Sequence, residues 1–167
     1  MTVKSDGGNN MLIRKYKSSD YNELEELFYR TVHTVNAKDY SKKQLDAWTK
    51  NADTERWDRS FSEHLTAVAV EDKEIVGFGS IDKNGCLDML YVHSDFQRQG
   101  IGSAICNILE YGVTANVITV QASITAKPFF EKIGYTALKE QQVIRGGTPL
   151  TNYVMEKYTD SDMSSVI

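Results

Sequence analysis

The chain has 167 residues, which is enough for one domain with a sizeable hydrophobic core. Hydrophobic residues make up 41% and charged residues 25%, which excludes a collagen-like, low-complexity or wholly disordered chain. The net charge of −4 argues against a nucleic-acid binder and is compatible with a cationic substrate, although it is also an ordinary charge for solubility. No apolar run approaches the roughly 20 residues of a membrane span.

The number of cysteines predicts the cellular compartment, and the composition of the two ends of the chain predicts where the folded domain begins and ends. Cys86 and Cys106 are too few for a disulfide framework or a cysteine metal site, so we expect no metal and a reducing, cytoplasmic setting. Polar residues at both ends predict a flexible leader over 1–10 and a flexible tail over 159–167. A single folded domain is therefore expected over 11–158.

The first half of this domain predicts a strand, two helices and two more strands. A strand over 11–16 is followed by Asp20, which we interpret as a helix N-cap in a capping box with Glu23. Apolar residues then recur at the spacing of an amphipathic helix: Leu24, Leu27, Phe28, Thr31, Val32 and Val35. A second short helix is predicted over 41–50. Strands over 66–70 and 74–81 follow, joined by a turn.

The second half continues with alternating elements. The predicted segments are a strand over 85–92, a helix from Ile101 to Gly112, a strand over 117–121, a helix over 124–133 ended by Gly134, and strands over 136–144 and 150–157. The order β-α-α-β-β-β-α-β-α-β-β predicts a mixed α/β domain with one strand–helix–strand unit and antiparallel strands around it.

The most informative stretch joins the strand over 85–92 to the helix after it. A polar loop ends in Gly100-Ile101-Gly102, and glycines let the backbone turn tightly and bring N–H groups close to a ligand. The helix start adds unpaired N–H donors and a partial positive charge, and Arg98 adds a cation. This combination predicts a pyrophosphate site. No Walker loop is present, and Ile105 stands where a dinucleotide fold needs a small residue.

Two motifs, one in this loop and one downstream, occur in a fixed order. The first, Gln97-Arg98-Gln99-Gly100-Ile101-Gly102, matches the pattern Gln/Arg-x-x-Gly-x-Gly/Ala. The second runs from Ser123 to Tyr135 and contains Phe129-Phe130-Glu131-Lys132 before Gly134. Together they resemble the GNAT superfamily of N-acetyltransferases over residues 12–157. Segment 33–41 is similar to a bacterial branch whose substrate is unsettled.

This resemblance implies a fold, a co-substrate and a set of binding residues. The fold would be a single-domain, mostly antiparallel twisted sheet with helices on both faces, and the co-substrate would be acetyl-CoA. The pantetheine arm would lie on the backbone of Leu90, Tyr91 and Val92, and near Ser123. Phe130 would line the thiol end, in place of a tyrosine that often protonates the departing thiolate in this family. The pyrophosphate would lie on Gln97, Arg98, Gln99, Gly100, Ile101, Gly102 and Ser103.

The expected reaction, attack of an amine on acetyl-CoA, needs a group that takes a proton. Asp88 is the first candidate, because strand alternation puts it on one face with Cys86 and Leu90. His33 and Tyr40 are the other candidates, on a helical region that borders the acceptor pocket in this family. Structural readings remain open for all three: a solvated or salt-bridged carboxylate, a helix-face histidine and a packing tyrosine.

Two further features of the site are left open by the residues themselves. Trp48, Trp57 and Phe61 either cap the substrate site or pack in the core. Cys86 is expected to be a small, buried apolar residue rather than a group near the thioester.

The expected function is therefore acetyl transfer to a primary amine of a small molecule or a peptide, with a homodimer as one arrangement. The alternatives are a non-catalytic acyl-CoA sensor or interaction module, because a fold does not fix a function, and a nucleotide-binding regulator, which the failed phosphate motifs disfavour. We expect no nucleic-acid or membrane partner.

Overall fold

The structure, a computed structural model, describes residues 2–4, 10–50 and 53–159, with residues 2–4 described by their backbone alone. Eight strands form one sheet in the spatial order β1-β2-β3-β4-β5-β6-β8-β7. The pair β5–β6 is parallel and the other neighbouring pairs are antiparallel. The strands are β1 (Thr2–Lys4), β2 (Asn10–Lys15), β3 (Leu65–Glu71), β4 (Glu74–Ile81), β5 (Cys86–Val92), β6 (Val117–Ser123), β7 (Thr136–Arg145) and β8 (Thr148–Tyr158).

Five helices cover the two faces of this sheet. They are α1 (Tyr21–Thr34), α2 (Lys42–Thr49), α3 (Thr54–Glu63), α4 (Ile101–Tyr111) and α5 (Lys127–Lys132). One core lies between the sheet and the helices α4 and α5, and a second lies between the sheet and the helices α1 to α3. We call the two sides the α4 face and the α1 face. The predicted fold class, a mixed and mostly antiparallel sheet with helices on both faces, is confirmed.

The apolar stripes predicted for the two long helices form these cores. Leu24, Phe28 and Val32 of α1 are buried on the α1 face, and Ile101, Ile105 and Leu109 of α4 are buried on the α4 face. Burial of such side chains is the main favourable term in folding, at about 1.5–3 kcal/mol each. The amphipathic spacing read from the sequence therefore places both helices correctly.

The prediction at the start of α1 is right about the N-cap position, which Asp20 occupies, and wrong about the capping box with Glu23, which does not form. The Asp20 side chain makes no capping bond to α1. Its carboxylate instead accepts two 2.8 Å bonds from the Arg14 guanidinium and a 2.9 Å bond from the Lys17 N–H. A buried carboxylate is held better by a guanidinium and an N–H group than by one helix amide, so Asp20 ties β2 to the start of α1.

Three elements also differ from prediction: one helix and one strand were not predicted, and one helix is shorter than expected. Helix α3 was not predicted, and the helix expected over 124–133 is shorter, covering Lys127–Lys132. Within the predicted leader, Thr2–Lys4 forms β1 and pairs with β2. Asn10, the last residue of the predicted leader, is the first residue of β2, and residues 1 and 5–9 and the predicted tail beyond Thr159 lie outside the described residues.

Candidate active site

The sheet opens between its two central strands. Strands β5 and β6 pair only at Cys86–Thr119 and Leu87–Val120. Strand β6 nevertheless continues beside β8 as far as Ser123. Beyond Leu87 the backbone of β5 that faces β6 therefore has no partner strand. We call this opening, between residues 88–92 of β5 and 121–123 of β6, the slot. Unpaired N–H and C=O groups along a strand edge can bind an extended ligand.

A β-bulge lies where the slot begins. Two consecutive residues of β4, Ile81 and Ser80, pair with Leu87 and Met89 of β5. Asp88 is therefore an extra residue in β5 with no partner in β4. A bulge interrupts the ladder and re-aims side chains, and such irregularities are common beside active sites. Asp88 is exposed at this point.

The bulge overturns part of the predicted face pattern. Leu87, Leu90 and Val92 pack on the α4 face, whereas Met89 and Tyr91 pack on the α1 face. Strict alternation would have placed Leu90 opposite to Leu87, so the prediction that Leu90 shares a face with Cys86 is wrong. Cys86 is exposed, which also corrects the expectation that it is buried.

The loop after β5 is held by short-range hydrogen bonds. The Gln97 side-chain N–H donates to the Val92 carbonyl at 2.6 Å. The buried His93 accepts a hydrogen bond on its ring Nδ1 from the Asp95 N–H at 3.0 Å. The backbone N–H of His93 donates to the Val76 carbonyl of β4. Gln97 and His93 thus fix the path of the loop.

The backbone of this loop can bind an anion. Arg98 and Gly100 both have positive φ angles, +60° and +81°, on either side of Gln99. Left-handed residues interleaved with ordinary ones turn successive N–H groups toward one side, which makes a concave site for anions. The first hydrogen bond of α4 joins the Ala104 N–H to the Gly100 carbonyl, so the N–H groups of the three residues before Ala104 have no acceptor within the helix.

The predicted pyrophosphate residues therefore gather in one place. Arg98, Gln99 and Gly100 are exposed. Ile101 anchors the start of α4 in the core with 1% exposure. A Cβ built on Gly102 would lie 3.2 Å from the Phe129 ring, so the glycine lets α5 approach the first turn of α4. Ser103 is half-buried in the same turn.

On the α1 face, aromatic side chains surround the slot. The Tyr91 ring packs edge-on against Phe28 at 4.9 Å between ring centroids. The Trp48 indole of α2 lies near the Tyr91 hydroxyl. Burial raises the pKa of the Tyr91 phenol, while the Trp48 indole and the charge of Arg145 act in the opposite direction. Sequence reasoning named Tyr91 for its backbone only, and the position of its hydroxyl depends on the bulge at Asp88.

Tyr40 and its neighbours fasten the end of β6 to the segment before α2. The Tyr40 hydroxyl donates to the Thr151 carbonyl at 2.6 Å and accepts from the Ile124 N–H at 2.9 Å. Ser123 Oγ accepts from Ala126 N–H at 3.0 Å and from Asn36 Nδ2 at 3.4 Å. A further bond joins Thr125 Oγ1 to the Asp39 carboxylate at 2.7 Å. We call this set of contacts the clasp.

The clasp assigns Tyr40 and Ser123 a structural part in the site. Burial raises the pKa of the Tyr40 phenol, and its proton is already donated to a carbonyl. Both features make Tyr40 a poor proton donor in catalysis. Ser123, which the resemblance placed near the pantetheine, lies at the end of β6 beside the slot, with its hydroxyl engaged by two donors.

The other two candidates also have defined surroundings. His33 bridges helices, with Nδ1 3.0 Å from the Tyr29 carbonyl and Nε2 3.0 Å from Asp46 of α2. Phe130 is 3% exposed, with its ring edge-on to Phe129 and to Tyr135 at 5.1 Å each. The structure thus brings Asp88 and Tyr91 to the slot and gives His33 a contact between α1 and α2.

The described residues lack two further kinds of feature. Among them no group of three or more His, Cys, Asp or Glu residues is arranged to hold a metal ion. No helix in this part of the chain has the length and apolar content required to cross a membrane.

Comparison with known proteins places the chain in a family. The model of the acetyltransferase (GNAT) domain matches residues 36–157. The uncharacterised N-acetyltransferase YafP of Escherichia coli (strain K12) is 36% identical over 147 residues, which are 88% of this chain and 95% of that protein. The chain therefore belongs to the GNAT acetyltransferases.

Solved structures agree with this assignment. A GCN5-related N-acetyltransferase from Rhodopseudomonas palustris, described as a class-II aminotransferase, has a TM-score of 0.85 and 32% identity, and the match covers 89% of this chain and 95% of that chain. The PaiA N-acetyltransferase of Thermoplasma acidophilum, solved with coenzyme A, has a TM-score of 0.73 at 18% identity over 89% of this chain and 99% of its own, which shows the shared fold. The resemblance read from the sequence is confirmed.

Proposed function

We propose that the protein transfers an acetyl group from acetyl-CoA to a primary amine of a small molecule or peptide by direct attack. The observation that carries this proposal is the slot, whose unpaired strand edge leads into the left-handed loop before α4. An extended arm ending in a pyrophosphate fits that order of features. The family assignment supports the same reaction class.

The co-substrate would contact the chain in two zones. Its pyrophosphate would lie on the N–H groups from Gln97 to Ser103, with the exposed Arg98 adding a charge-assisted contact. Its pantetheine arm would run along the backbone from Leu90 to Val92. The coenzyme A complex of the Thermoplasma acidophilum structure, which shares this fold, is consistent with such binding.

The chemistry requires a proton acceptor and a donor to the developing oxyanion. An alkyl ammonium must lose a proton before its nitrogen can form the new N–C bond and break the C–S bond of the thioester. We assign the first step to Asp88, an exposed carboxylate at the mouth of the slot that is close enough to Tyr91 to affect the pKa of its phenol. A backbone N–H at Tyr91 or Val92 would stabilise the oxyanion.

Phe130 would contribute by packing alone. It has no hydroxyl, and its ring is enclosed by Phe129 and Tyr135. The CoA thiol is acidic enough, with a reference pKa of about 8.5, to leave without a dedicated acid. Phe130→Tyr should therefore change kcat by less than about twofold, and a gain of about tenfold would show that an acid is lacking.

The proposed function is tested by following thiol release from acetyl-CoA with a panel of amines. The panel contains a polyamine, an aminoglycoside, amino acids, peptides with free N-termini and a lysine side chain, and mass spectrometry locates the acetyl group. Thiol release that depends on an amine, with N-acetylated product, is expected. Acetyl-CoA binding with no thiol release in the presence of any amine would contradict the proposed enzymatic activity and favour the non-catalytic sensor.

Asp88→Asn tests the assigned base. The substitution keeps the shape and removes the proton acceptor, so kcat should fall by about 10²-fold while CoA affinity stays within about twofold. Asp72→Asn, in the exposed turn between β3 and β4, is the matched control and should change neither. A kcat for Asp88→Asn within about twofold of the parent would move the role to water or to His33.

The cytoplasmic setting and the homodimer stay predictions.

A further inference from the structure

A basic groove lies between α2 and the turn that joins β7 to β8. It is open, has a volume of about 440 Å³, and is lined by Lys42, Lys43, Asp46 and Lys50 from the α2 side and by Gly146 and Thr148 from the turn. This volume falls in the range of small-molecule sites. Neither sequence reasoning nor the family comparison assigns the groove a role.

The charges in the groove do not cancel. Lys42 and Asp46 form an ion pair at 2.7 Å, and Asp46 also contacts His33 at 3.0 Å. Lys43 and Lys50 are exposed and have no ion pair or hydrogen-bond partner among residues 10–50 and 53–159. Seven helical residues span roughly 10 Å and two turns, so both lysines project from the same side of the helix. The groove is therefore positive although the whole chain carries −4.

Arg145 extends this positive charge toward the slot. It precedes Gly146 and pairs with Thr148 across the hairpin, so the side chains of Arg145 and Thr148 lie on one face of the sheet. Like the ammonium groups of the two lysines, the Arg145 guanidinium has no hydrogen-bond or ion-pair partner in the described part of the chain. Its charge nevertheless affects the Tyr91 phenol. Helix α2 makes a second connection, because Trp48 contacts the same phenol.

We propose that Lys43, Lys50 and Arg145 bind an anionic group, a carboxylate or a phosphate, on the acceptor substrate while its amine lies at the slot. This inference rests on the proposed function and narrows it to acidic acceptors. Lysines act as mobile point charges that suit either anion, and the partly apolar slot would take the uncharged part of the acceptor. The net negative charge of the chain, which is compatible with a cationic substrate, does not describe this local surface.

Matched acceptors test the inference directly. The first arm compares ω-amino carboxylic acids of several lengths with their carboxamides, and the second compares aminoalkyl phosphates with the matching amino alcohols. The charged member of at least one arm should have a kcat/KM about tenfold higher, and the advantage should shrink between about 50 and 500 mM salt because exposed charges are screened. Equal kcat/KM values within both arms would overturn the inference.

Variants assign the effect to the groove. Lys43→Gln combined with Lys50→Gln should lower kcat/KM for the charged acceptor by about tenfold and leave that for the neutral partner unchanged. Lys83→Gln, on the exposed turn between β4 and β5, is the matched control and should change neither value. Loss of the charge preference in the control, or its retention in the double variant, would contradict the assignment.

A binding measurement separates this inference from the proposed function. Backbone amide shifts are followed while glutarate, glutaramide, inorganic phosphate or CoA is titrated into the protein. Saturable shifts at 42–50 and 145–148 with an anion but not with glutaramide support the groove, even where no amine is acetylated and the proposed function fails. Shifts at those residues with CoA alone would assign the lysines to the phosphates of the co-substrate and overturn the inference.

Discussion

The loop before α4 and the clasp on the α1 face form opposite walls of the slot but are built differently. Apart from the backbone bond of His93 to Val76 at its start, the loop is held by bonds between residues two to five apart, such as Gln97 to Val92. Apart from the bond between Ser123 and Ala126, the clasp is held by bonds that span 84 to 111 residues, such as those from Tyr40 to Ile124 and to Thr151. A wall made of local contacts is fixed by its own sequence, whereas the other wall exists only when the whole domain is folded. Substitutions should therefore separate co-substrate binding from acceptor binding.

The largest expected effect is on the loop. Gly100→Asp keeps open space around the new Cβ but adds a carboxylate where a pyrophosphate would lie, at a positive φ that L residues rarely adopt. We expect CoA affinity, measured by calorimetry, to fall about 100-fold. Gly147→Asp is the matched control, because Gly147 also has a positive φ and open surroundings but lies at the β7–β8 turn. Similar CoA affinities for the two variants would break the comparison.

The second effect is on the clasp. Tyr40→Phe removes the donor to Thr151 and leaves the Ile124 N–H without its acceptor, so the free energy of unfolding should fall by about 2 kcal/mol. The KM of the best acceptor should rise about tenfold, with CoA affinity within about twofold of the parent. Tyr111→Phe, at a residue that is 95% exposed, is the control. A Tyr40→Phe variant that loses CoA affinity and keeps its acceptor KM would reverse the assignment of the two walls.

A smaller effect is expected at Gln97. Gln97→Ala removes the 2.6 Å bond to the Val92 carbonyl, so the loop should sample more conformations and CoA affinity should fall about fivefold. Because Gln97 is exposed, the free energy of unfolding should change by less than about 0.5 kcal/mol. Denaturation and CoA titration of Gln97→Ala and of Gln142→Ala, on the exposed edge of β7, check both statements. A large loss of stability with unchanged CoA affinity would contradict them.

The smallest effect is the pH dependence at the base of α1. The bond from Arg14 holds the pKa of Asp20 below its ordinary value, so the ion pair stabilises the fold above the unfolded pKa of about 3.9 and this contribution is lost as the pH falls through the folded pKa. Urea denaturation should find Asp20→Asn less stable than the parent by about 1 kcal/mol at pH 7, with the difference shrinking below about pH 4. Asp72→Asn is the control. A constant difference from pH 7 to 3 would exclude the ion pair as its cause.

Sequence reasoning reached the loop because every signal there is local. Glycines, the helix start and the apolar stripe of α4 all lie within residues 97–112, and their period and chemistry determine the structure. It did not reach the bulge at Asp88, because a bulge is defined by the register of β4 against β5 and leaves no mark in the alternation of either strand.

The acceptor side was beyond sequence reasoning for the same reason. Arg145 and Tyr91 lie 54 positions apart in the printed sequence and gain their relation only through the hairpin and the sheet. Asp20 does stand at the N-cap position of α1, but its carboxylate binds Arg14, six residues earlier, instead of the helix amides, and no residue pattern showed which partner it would take. Helix α3 went unpredicted because its apolar residues are few, with Trp57 and Phe61 one turn apart among charged neighbours.

Strands β5 and β6 share only two residue pairs, so the sheet is incomplete at its centre. A pantetheine arm carries amide groups of its own, so under the proposed function it would take the place of a missing strand between the two halves of the sheet. The apparent melting temperature should then rise with CoA concentration, by an amount equivalent to about 2.7 kcal/mol at 100 times the dissociation constant. Those amide hydrogens of residues 88–92 that face the slot, and not those bonded to β4, should exchange with solvent in the free protein and become protected when CoA is bound. The co-substrate would in this sense be a structural component of the sheet, and the sheet would be complete only while CoA or acetyl-CoA is bound.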